Sequence, residues 1–219
     1  MPTRAIDSGL RGLYAVTPDG LAADLLLERA RAALAGGVRL LQYRDKSSSA
    51  TQRRDVALAL RDACHATGAR LIVNDDVALA VEAGADGVHL GRDDLAGAAL
   101  AQVRARLPAG AIIGVSCYAD LDRAATAVAA GADYIAFGSA FPSRTKPNAV
   151  PLPPTTLAAA RARFDVPIVV IGGIRVDNAT TLIEAGADML AVVSDLFDAA
   201  DITARARAYL PLFTARNPA

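Results

Sequence analysis

The stretch EAGADMLAVV, residues 184–193, carries the pattern that decides the fold, because close copies of it occur earlier in the chain. EAGADGVHL begins at Glu82, AAGADYIAFG begins at Ala129, and LAGGVRLLQY from Leu34 is a looser copy. In each copy a helical pattern ends at a glycine, which can adopt the left-handed conformation of a helix C-cap, and an apolar strand follows. The repeat therefore predicts a recurring hinge from helix to strand.

Strand and helix patterns alternate on both sides of these copies. We predict eight strands, each followed by an amphipathic helical stretch, at residues 12–17, 38–44, 70–75, 87–91, 111–117, 133–138, 167–172 and 189–194. Strict alternation indicates a parallel sheet, and strands that are apolar almost throughout indicate burial on both faces. The predicted fold class is therefore α/β, a (β/α)₈ TIM barrel formed by residues 1–219 as a single domain.

An open doubly wound sheet is the alternative architecture for this alternation. It normally has a GxGxxG turn after its first strand, whereas VTPDG, residues 16–20, follows here. The regular count of eight units also favours a closed barrel.

Composition excludes several classes of function. The 219 residues include 23 Lys and Arg against 23 Asp and Glu, so no global field attracts nucleic acid or an anionic membrane. The N-terminal residues show no apolar leader, and the longest apolar run, PIVVIGGI, is far shorter than the roughly 20 residues that span a bilayer. Cys64 and Cys117 belong to no CxxC motif or Cys/His cluster, which predicts neither a zinc site nor a disulfide. We expect a cytoplasmic protein with small-molecule partners, and the sequence leaves open whether it forms a homo-oligomer.

The second predicted strand ends in an unusual concentration of polarity. It lies within LLQYRDKSSS, residues 40–49. Successive strand residues alternate between faces, so Gln42 and Arg44 share a direction, with Lys46 just beyond the strand. Tyr43 and Asp45 point the other way. Because the carboxyl ends of barrel strands build the active site, an amide and two cations are predicted to converge there.

Carboxylates follow the next two predicted strands. Asn74, Asp75 and Asp76 follow the third strand, and Asp93 and Asp94 follow the fourth. Hard oxygen ligands beside Arg and Lys suit Mg²⁺ bound to a polyphosphate, since Mg²⁺ takes one or two carboxylates together with substrate oxygens. Asp76 and Asp93 are equally well explained as helix N-caps. Asp75 and Asp94 are harder to explain in this way when taken together.

The remaining strand ends indicate anion binding. Ser116 ends the fifth strand as a hydrogen-bond donor, and the long Pro-rich loop after the sixth strand carries Ser143, Arg144, Thr145 and Lys146. The seventh strand ends in a Gly-Gly pair, residues 172–173, which would equally suit a tight βα turn, and the eighth ends in Ser194. Barrels often hold phosphate with the loops after strands seven and eight. The sequence thus predicts a monophosphate pocket there and a pocket for a metal and a diphosphate at strands two to four.

Three other polar residues are given structural roles. His89 lies inside an apolar strand and is predicted to be a hydrogen-bonded core residue. His65, at a helix end, is predicted to be on the surface. No residue is visibly placed to activate Cys117, which is therefore assigned to packing.

The motifs, taken together and in order, resemble the thiamine-phosphate synthase family over nearly the whole chain. They are QYRDK, VND, GVHLGRDDL, IIGVSC, GADYIAFGSAFPSRTK, IGGI and VVS. The resemblance implies a (β/α)₈ transferase that joins 4-amino-5-hydroxymethyl-2-methylpyrimidine diphosphate to the phosphate of hydroxyethylthiazole and releases pyrophosphate, with Mg²⁺. It implies a dissociative reaction without a protein nucleophile, which agrees with the lack of a Ser/His/Asp or Cys/His arrangement in the sequence.

The resemblance also implies site residues. It assigns to the pyrimidine diphosphate Gln42, Tyr43, Arg44, Asp45, Lys46, Asn74, Ser116 and Lys146. It assigns Mg²⁺ to Asp75 and Asp94, and the thiazole phosphate to Ser143, Arg144, Thr145, Gly173, Val193 and Ser194. Catalysis would rest on Arg44, Lys46, Ser116 and Lys146.

The chain departs from the family pattern at three positions, and two alternatives remain. Asp76 stands where Arg is common, Ala78 where Asp is common, and Arg92 where Gln is common, which affects the outer contacts near the metal. One alternative is a thiazole tautomerase on the same barrel, which would leave the predicted metal and diphosphate pocket without a role. The other is a non-catalytic barrel that binds thiamine phosphates.

Overall fold

The computed structural model describes residues 10–91, 99–142 and 152–214. The strands are β1 (Gly12–Val16), β2 (Leu40–Tyr43), β3 (Arg70–Asn74), β4 (Gly87–Leu90), β5 (Ile112–Tyr118), β6 (Tyr134–Gly138), β7 (Ile168–Ile171) and β8 (Met189–Val192). The helices are α1 (Ala23–Ala35), α2 (Ala50–Ala66), α3 (Val77–Ala83), α4 (Ala99–Arg106), α5 (Leu121–Ala129), α6 (Pro154–Arg163), α7 (Ala179–Glu184), α8 (Ser194–Phe197) and α9 (Ile202–Tyr209). A 3₁₀ helix, Leu210–Phe213, follows α9.

The eight strands form a closed parallel barrel in chain order, with β8 paired to β1. Each strand lies within two residues of its predicted bounds, and the closed barrel is confirmed over the open sheet. One apolar cluster fills the barrel interior, and a larger one packs between the sheet and the helices. Burial on both faces explains the nearly continuous apolar strands. Among the helices of the described ranges, none combines the length and apolarity needed to cross a bilayer.

The aspartate of the GAD repeat joins neighbouring strands in three pairs, β3 with β4, β5 with β6 and β7 with β8. Asp188 donates its N–H to the carbonyl of Ile168 at 2.9 Å and accepts the N–H of the same residue through Oδ2 at 2.8 Å. Asp86 does the same with Leu71, and Asp133 with Ile113. Each carboxylate therefore satisfies a backbone group at the amino end of a barrel strand.

The same three carboxylates each receive a cationic or imidazole group from a helix. Arg161 of α6 lies 2.8 Å from Asp188, Arg104 of α4 pairs with Asp133, and His65 at the end of α2 lies 3.0 Å from Asp86. The repeat thus joins two strands and a helix at one point. Half of the His65 side chain is exposed, as predicted for a surface residue.

The glycine of the repeat ends the preceding helix in the predicted way. Gly84 is the C-cap of α3 with a φ of 65°, and Gly186, directly after the C-cap of α7, has a φ of 120°. A side chain is strained at such angles, so glycine is the residue that lets the chain turn from helix to strand.

Replacing Asp188 tests the link between strands. We expect Asp188→Ala to lower the free energy of unfolding by about 2 kcal/mol, because a charged acceptor is removed from a buried strand N–H. Asp188→Asn should cost less, since its amide oxygen can still accept from Ile168. Urea unfolding measures both values. Asp62→Ala, which removes a 72% exposed carboxylate from α2, should change stability by under about 0.5 kcal/mol; an equal loss there would contradict the assignment.

Candidate active site

A cleft of about 560 Å³ opens at the carboxyl ends of β2 and β3. Lys46, Asn74 and Asp75 line it, as the sequence predicts for a shared strand edge. Lys46 Nζ lies 3.6 Å from Asp75 Oδ2, and Asn74 donates its side-chain amide to the same oxygen at 2.7 Å. The structure therefore brings together the cation, the amide and one of the two carboxylates that were predicted here.

The alternation predicted for the end of β2 is confirmed. Gln42 is buried in the barrel interior, where its amide nitrogen donates to the Tyr14 hydroxyl at 2.8 Å. Tyr43 packs in the outer apolar layer and donates its hydroxyl to Asp45 at 3.1 Å. Arg44 lies at the mouth with about a quarter of its side chain exposed.

Asp45 organises its own loop. Its Oδ1 accepts the backbone N–H groups of Ser47 and Ser48 at 2.9 and 3.0 Å. Partial burial disfavours its charge, but the hydrogen bonds from Ser48, Ser47 and Tyr43 outweigh that effect and hold the pKa of this carboxyl well below its ordinary value. The carboxylate thus fixes the turn that carries Lys46.

The loop after β1 holds the same segment, and sequence reasoning missed it. Thr17, fully buried, accepts the N–H of Arg44 at 2.9 Å and donates to its carbonyl at 3.1 Å. Asp19 accepts the N–H of Lys46 at 3.1 Å through one carboxylate oxygen and pairs with the Arg44 guanidinium at 3.3 Å through the other. The sequence does carry a signal for this role, because VTPDG, residues 16–20, places polar residues at the carboxyl end of a barrel strand.

The end of β3 combines backbone strain with helix capping. Asp75 has a φ of 62°, a left-handed conformation that costs a residue other than glycine on the order of 1 kcal/mol and is typical of functional sites. Asp76 is the N-cap of α3, accepts the N–H of Leu79 at 2.9 Å and pairs with Arg53 at 3.3 Å. Asp76 therefore has a structural role at the start of α3.

A continuous chain of polar side chains crosses the barrel interior. Gln42 contacts Tyr14, the Tyr14 hydroxyl lies 2.8 Å from that of Tyr134, and Tyr134 lies 3.0 Å from His89 Nδ1. His89 Nε2 lies 2.9 Å from Ser116 Oγ. His89 is thus the hydrogen-bonded core residue that was predicted. Ser116 is partly exposed at the mouth, so the chain connects two predicted substrate residues.

The neighbourhood of Ser116 is held rigidly. Arg123 of α5 donates to the Ser116 carbonyl at 2.8 Å and to the Gly91 carbonyl at 2.9 Å, which joins the ends of β4 and β5. Cys117 is buried, and desolvation raises the pKa of its thiol to about 12. The thiol therefore stays protonated at neutral pH, in agreement with its assignment to packing.

The ends of β7 and β8 lie side by side, as the predicted monophosphate pocket requires. Gly173 has a φ of 60°, and a Cβ there would lie 2.4 Å from the carbonyl oxygen of Pro142. Glycine is thus needed for the close approach of the loop after β6, a role separate from any phosphate. The eighth strand was predicted to end at Ser194, but β8 ends at Val192, and Ser194 is the first residue of the single-turn helix α8.

Several predicted residues lie outside the described residues. They are Arg92, Asp93, Asp94, Ser143, Arg144, Thr145 and Lys146. Within residues 10–91, 99–142 and 152–214, no group of three or more His, Cys, Asp or Glu side chains is arranged to hold a metal ion. Asp75 is a hard oxygen donor at a cleft, and Mg²⁺ bound to substrate needs only one or two such carboxylates, so the described residues fit the predicted ion.

A closed (β/α)₈ barrel with cations, an amide and a carboxylate at the carboxyl ends of its strands has the arrangement of a barrel enzyme, whose active site lies at that end. The sequence profile of the family described as thiamine monophosphate synthase matches residues 13–196. The chain belongs to this family, and it is a transferase.

Individual relatives are similar to this chain over nearly the full length of both proteins. The thiamine-phosphate synthase of Azoarcus sp. (strain BH72) is 55% identical over 204 residues, which cover 93% of this chain and 98% of that protein. The thiamine-phosphate synthase of Chromobacterium violaceum is 54% identical over 207 residues, which cover 94% of this chain and 98% of that protein. Among solved structures, thiamine phosphate pyrophosphorylase from Pyrococcus furiosus has a TM-score of 0.83 at 30% identity and covers 94% of this chain and 97% of its own.

Removing the Thr17 hydroxyl tests how the mouth is held. We expect Thr17→Val to lower the free energy of unfolding by about 1–3 kcal/mol, because the buried N–H of Arg44 loses its acceptor. Turnover should fall as well, since Arg44 is no longer held in place. Thr17→Ser keeps the hydroxyl and should retain both properties. Unfolding curves and steady-state kinetics provide the measurements, and a Val variant as stable and active as the Ser variant would rule out this role.

Proposed function

We propose that the chain is a thiamine-phosphate synthase. It joins the pyrimidine of 4-amino-5-hydroxymethyl-2-methylpyrimidine diphosphate to the thiazole nitrogen of hydroxyethylthiazole phosphate. The C–O bond to the diphosphate breaks, and its electron pair leaves with pyrophosphate. The thiazole nitrogen then supplies the electron pair of the new C–N bond. The observation that carries the proposal is the clustering of Arg44, Lys46, Asn74 and Asp75 at one strand edge of a chain more than 50% identical to named thiamine-phosphate synthases.

The pyrimidine diphosphate is assigned to the side of the mouth formed by β2, β3 and β5. Gln42, Asn74 and Ser116 would orient it, and the cations would stabilise the departing pyrophosphate as negative charge grows. Tyr43 and Asp45 would act through the loop that they hold. The catalytic residues proposed are Arg44, Lys46, Ser116 and Lys146.

Mg²⁺ would be held by Asp75 and Asp94. When bound, it would neutralise the diphosphate and so improve it as a leaving group. Lys46 pairs with Asp75 in the structure, so the lysine already lies beside the place where the ion and the diphosphate would meet.

The thiazole phosphate is assigned to the opposite side, at β7 and β8. The residues proposed are Ser143, Arg144, Thr145, Gly173, Val193 and Ser194. Support comes from the pairing of β7 with β8 and from the helix that begins at Ser194, just after β8. We also propose a cytoplasmic location, supported by two buried free thiols, Cys64 and Cys117.

One assay tests the function directly. The purified chain is incubated with both substrates and Mg²⁺, and thiamine phosphate and pyrophosphate are measured together. Equal amounts of both products are expected. Binding of thiamine phosphate without turnover would instead support the non-catalytic barrel, and isomerisation of a thiazole carboxylate phosphate would support the tautomerase.

Asp75→Asn tests the metal assignment. Asn tolerates the left-handed backbone of position 75, so the fold should be kept while a charged ligand is lost. We expect the Mg²⁺ concentration needed for half-maximal turnover to rise at least tenfold, with a matching loss of Mg²⁺ binding in calorimetry. Asp76→Asn is the matched control, because Asn also caps helices. Unchanged Mg²⁺ titrations in Asp75→Asn would remove this residue from the metal site.

Ser194→Asp tests the separation of the two pockets. A carboxylate at the start of α8 would repel the thiazole phosphate, so its KM should rise at least tenfold while the KM of the diphosphate substrate changes little. Steady-state kinetics with each substrate varied in turn gives both values. A rise confined to the diphosphate substrate would mean that the two pockets are exchanged.

A further inference from the structure

The polar chain across the barrel interior has a direction that can be derived from its chemistry. It begins at Gln42, whose amide nitrogen faces the Tyr14 hydroxyl, and in this amide orientation Tyr14 accepts the hydrogen bond. The Tyr14 hydroxyl still has its own hydrogen to place, and its neighbour at 2.8 Å is the Tyr134 hydroxyl. Tyr14 therefore donates to Tyr134.

The direction continues through the imidazole. Tyr134 accepts from Tyr14, so its own hydrogen goes to His89 Nδ1 at 3.0 Å. Only an unprotonated ring nitrogen can accept, so this direction requires a neutral His89 with its proton on Nε2. That nitrogen donates to Ser116 Oγ at 2.9 Å. The hydroxyl hydrogen of Ser116 then remains for an acceptor in the mouth.

Burial makes this arrangement all-or-none. Tyr14 and Tyr134 are at most 1% exposed. Water therefore cannot hydrogen-bond to either hydroxyl where two donors or two acceptors face each other. Such a fault leaves a buried polar group unsatisfied, which costs about 1–3 kcal/mol. The direction of the hydrogen bond at Gln42 therefore determines the direction of the hydrogen bond at Ser116.

The barrel makes room for this chain. A Cβ at Gly114 of β5 would lie 1.9 Å from Cζ of Tyr134, so the phenol end of that ring occupies the space where a side chain would otherwise be. The His89 and Tyr134 ring planes are inclined by only 14°, and Tyr14 meets Tyr134 edge to face at 90°. These contacts orient the rings for the hydrogen bonds between them.

We propose that Tyr14, Tyr134 and His89 are positioning residues that orient the Ser116 hydroxyl as a hydrogen-bond donor toward an acceptor atom of the diphosphate substrate. The part of this inference that concerns substrate rests on the proposed role of Ser116. The direction of the chain is a property of the protein alone, and it can be tested without substrate.

The first experiment locates the proton on His89. The protein is labelled with ¹⁵N in the histidine rings, and NMR distinguishes protonated from unprotonated ring nitrogens. The sequence has two histidines, and His65→Gln identifies the signals of His89. A proton on Nε2 alone is expected. A proton on Nδ1, or on both nitrogens, would overturn the proposed direction. The measurement leaves every residue of the hydrogen-bonded polar chain unchanged.

The second experiment tests whether Tyr134 acts through Ser116. Single-turnover formation of thiamine phosphate is measured for Tyr134→Phe, Ser116→Ala and the double variant. We expect Tyr134→Phe alone to slow the reaction on the order of tenfold, the effect of one misdirected hydrogen bond. The double variant should be no slower than Ser116→Ala, because the effect of Tyr134 passes through the lost hydroxyl.

The outcomes of the two experiments separate the possible failures. Rate effects of Tyr134→Phe and Ser116→Ala that multiply would overturn the coupling. A Ser116→Ala variant with wild-type turnover would overturn the proposed substrate contact of Ser116, while the His89 spectrum would still decide the direction of the chain.

Discussion

The barrel depends on an aspartate that stands just before a strand and satisfies both backbone groups of a residue in the neighbouring strand. Asp86, Asp133 and Asp188 each make this pair of bonds, and each also receives a side chain from a helix. Three elements are thus aligned at the amino end of the barrel by one carboxylate. The carboxyl end is left to loops that need not support the sheet, which is where the polar residues of the candidate site lie.

The fold could be predicted because helix and strand patterns repeat regularly and parallel strands buried on both faces are conspicuously apolar. The GAD repeat was visible in the sequence, but the role of its aspartate was not. Its partners, Leu71, Ile113 and Ile168, are ordinary apolar residues at positions set by strand register. Backbone groups carry no signature in a sequence, so an interaction with them becomes visible only in three dimensions.

The candidate site was predictable where residues are close in sequence. The alternation of Gln42, Tyr43 and Arg44 followed from strand geometry, and their faces were assigned correctly. Thr17 and Asp19 were missed because they act on a backbone segment more than 20 residues further along the chain. Tyr14 and Tyr134 were missed for a different reason. A tyrosine in an apolar strand gives the same sequence pattern whether or not its hydroxyl belongs to a hydrogen-bond network.

The pairing of the mouth cations has a consequence for selectivity in a crowded cell. Arg44 is paired with Asp19 and Lys46 with Asp75, so the described part of the mouth is close to electrically neutral before substrate arrives. RNA, nucleotides and free phosphate compete for any exposed positive patch, and a neutral entrance gives them little to adsorb to. A ligand must replace two carboxylates at once to benefit from both cations. We therefore expect discrimination to arise from this exchange of partners, with attraction at a distance contributing little.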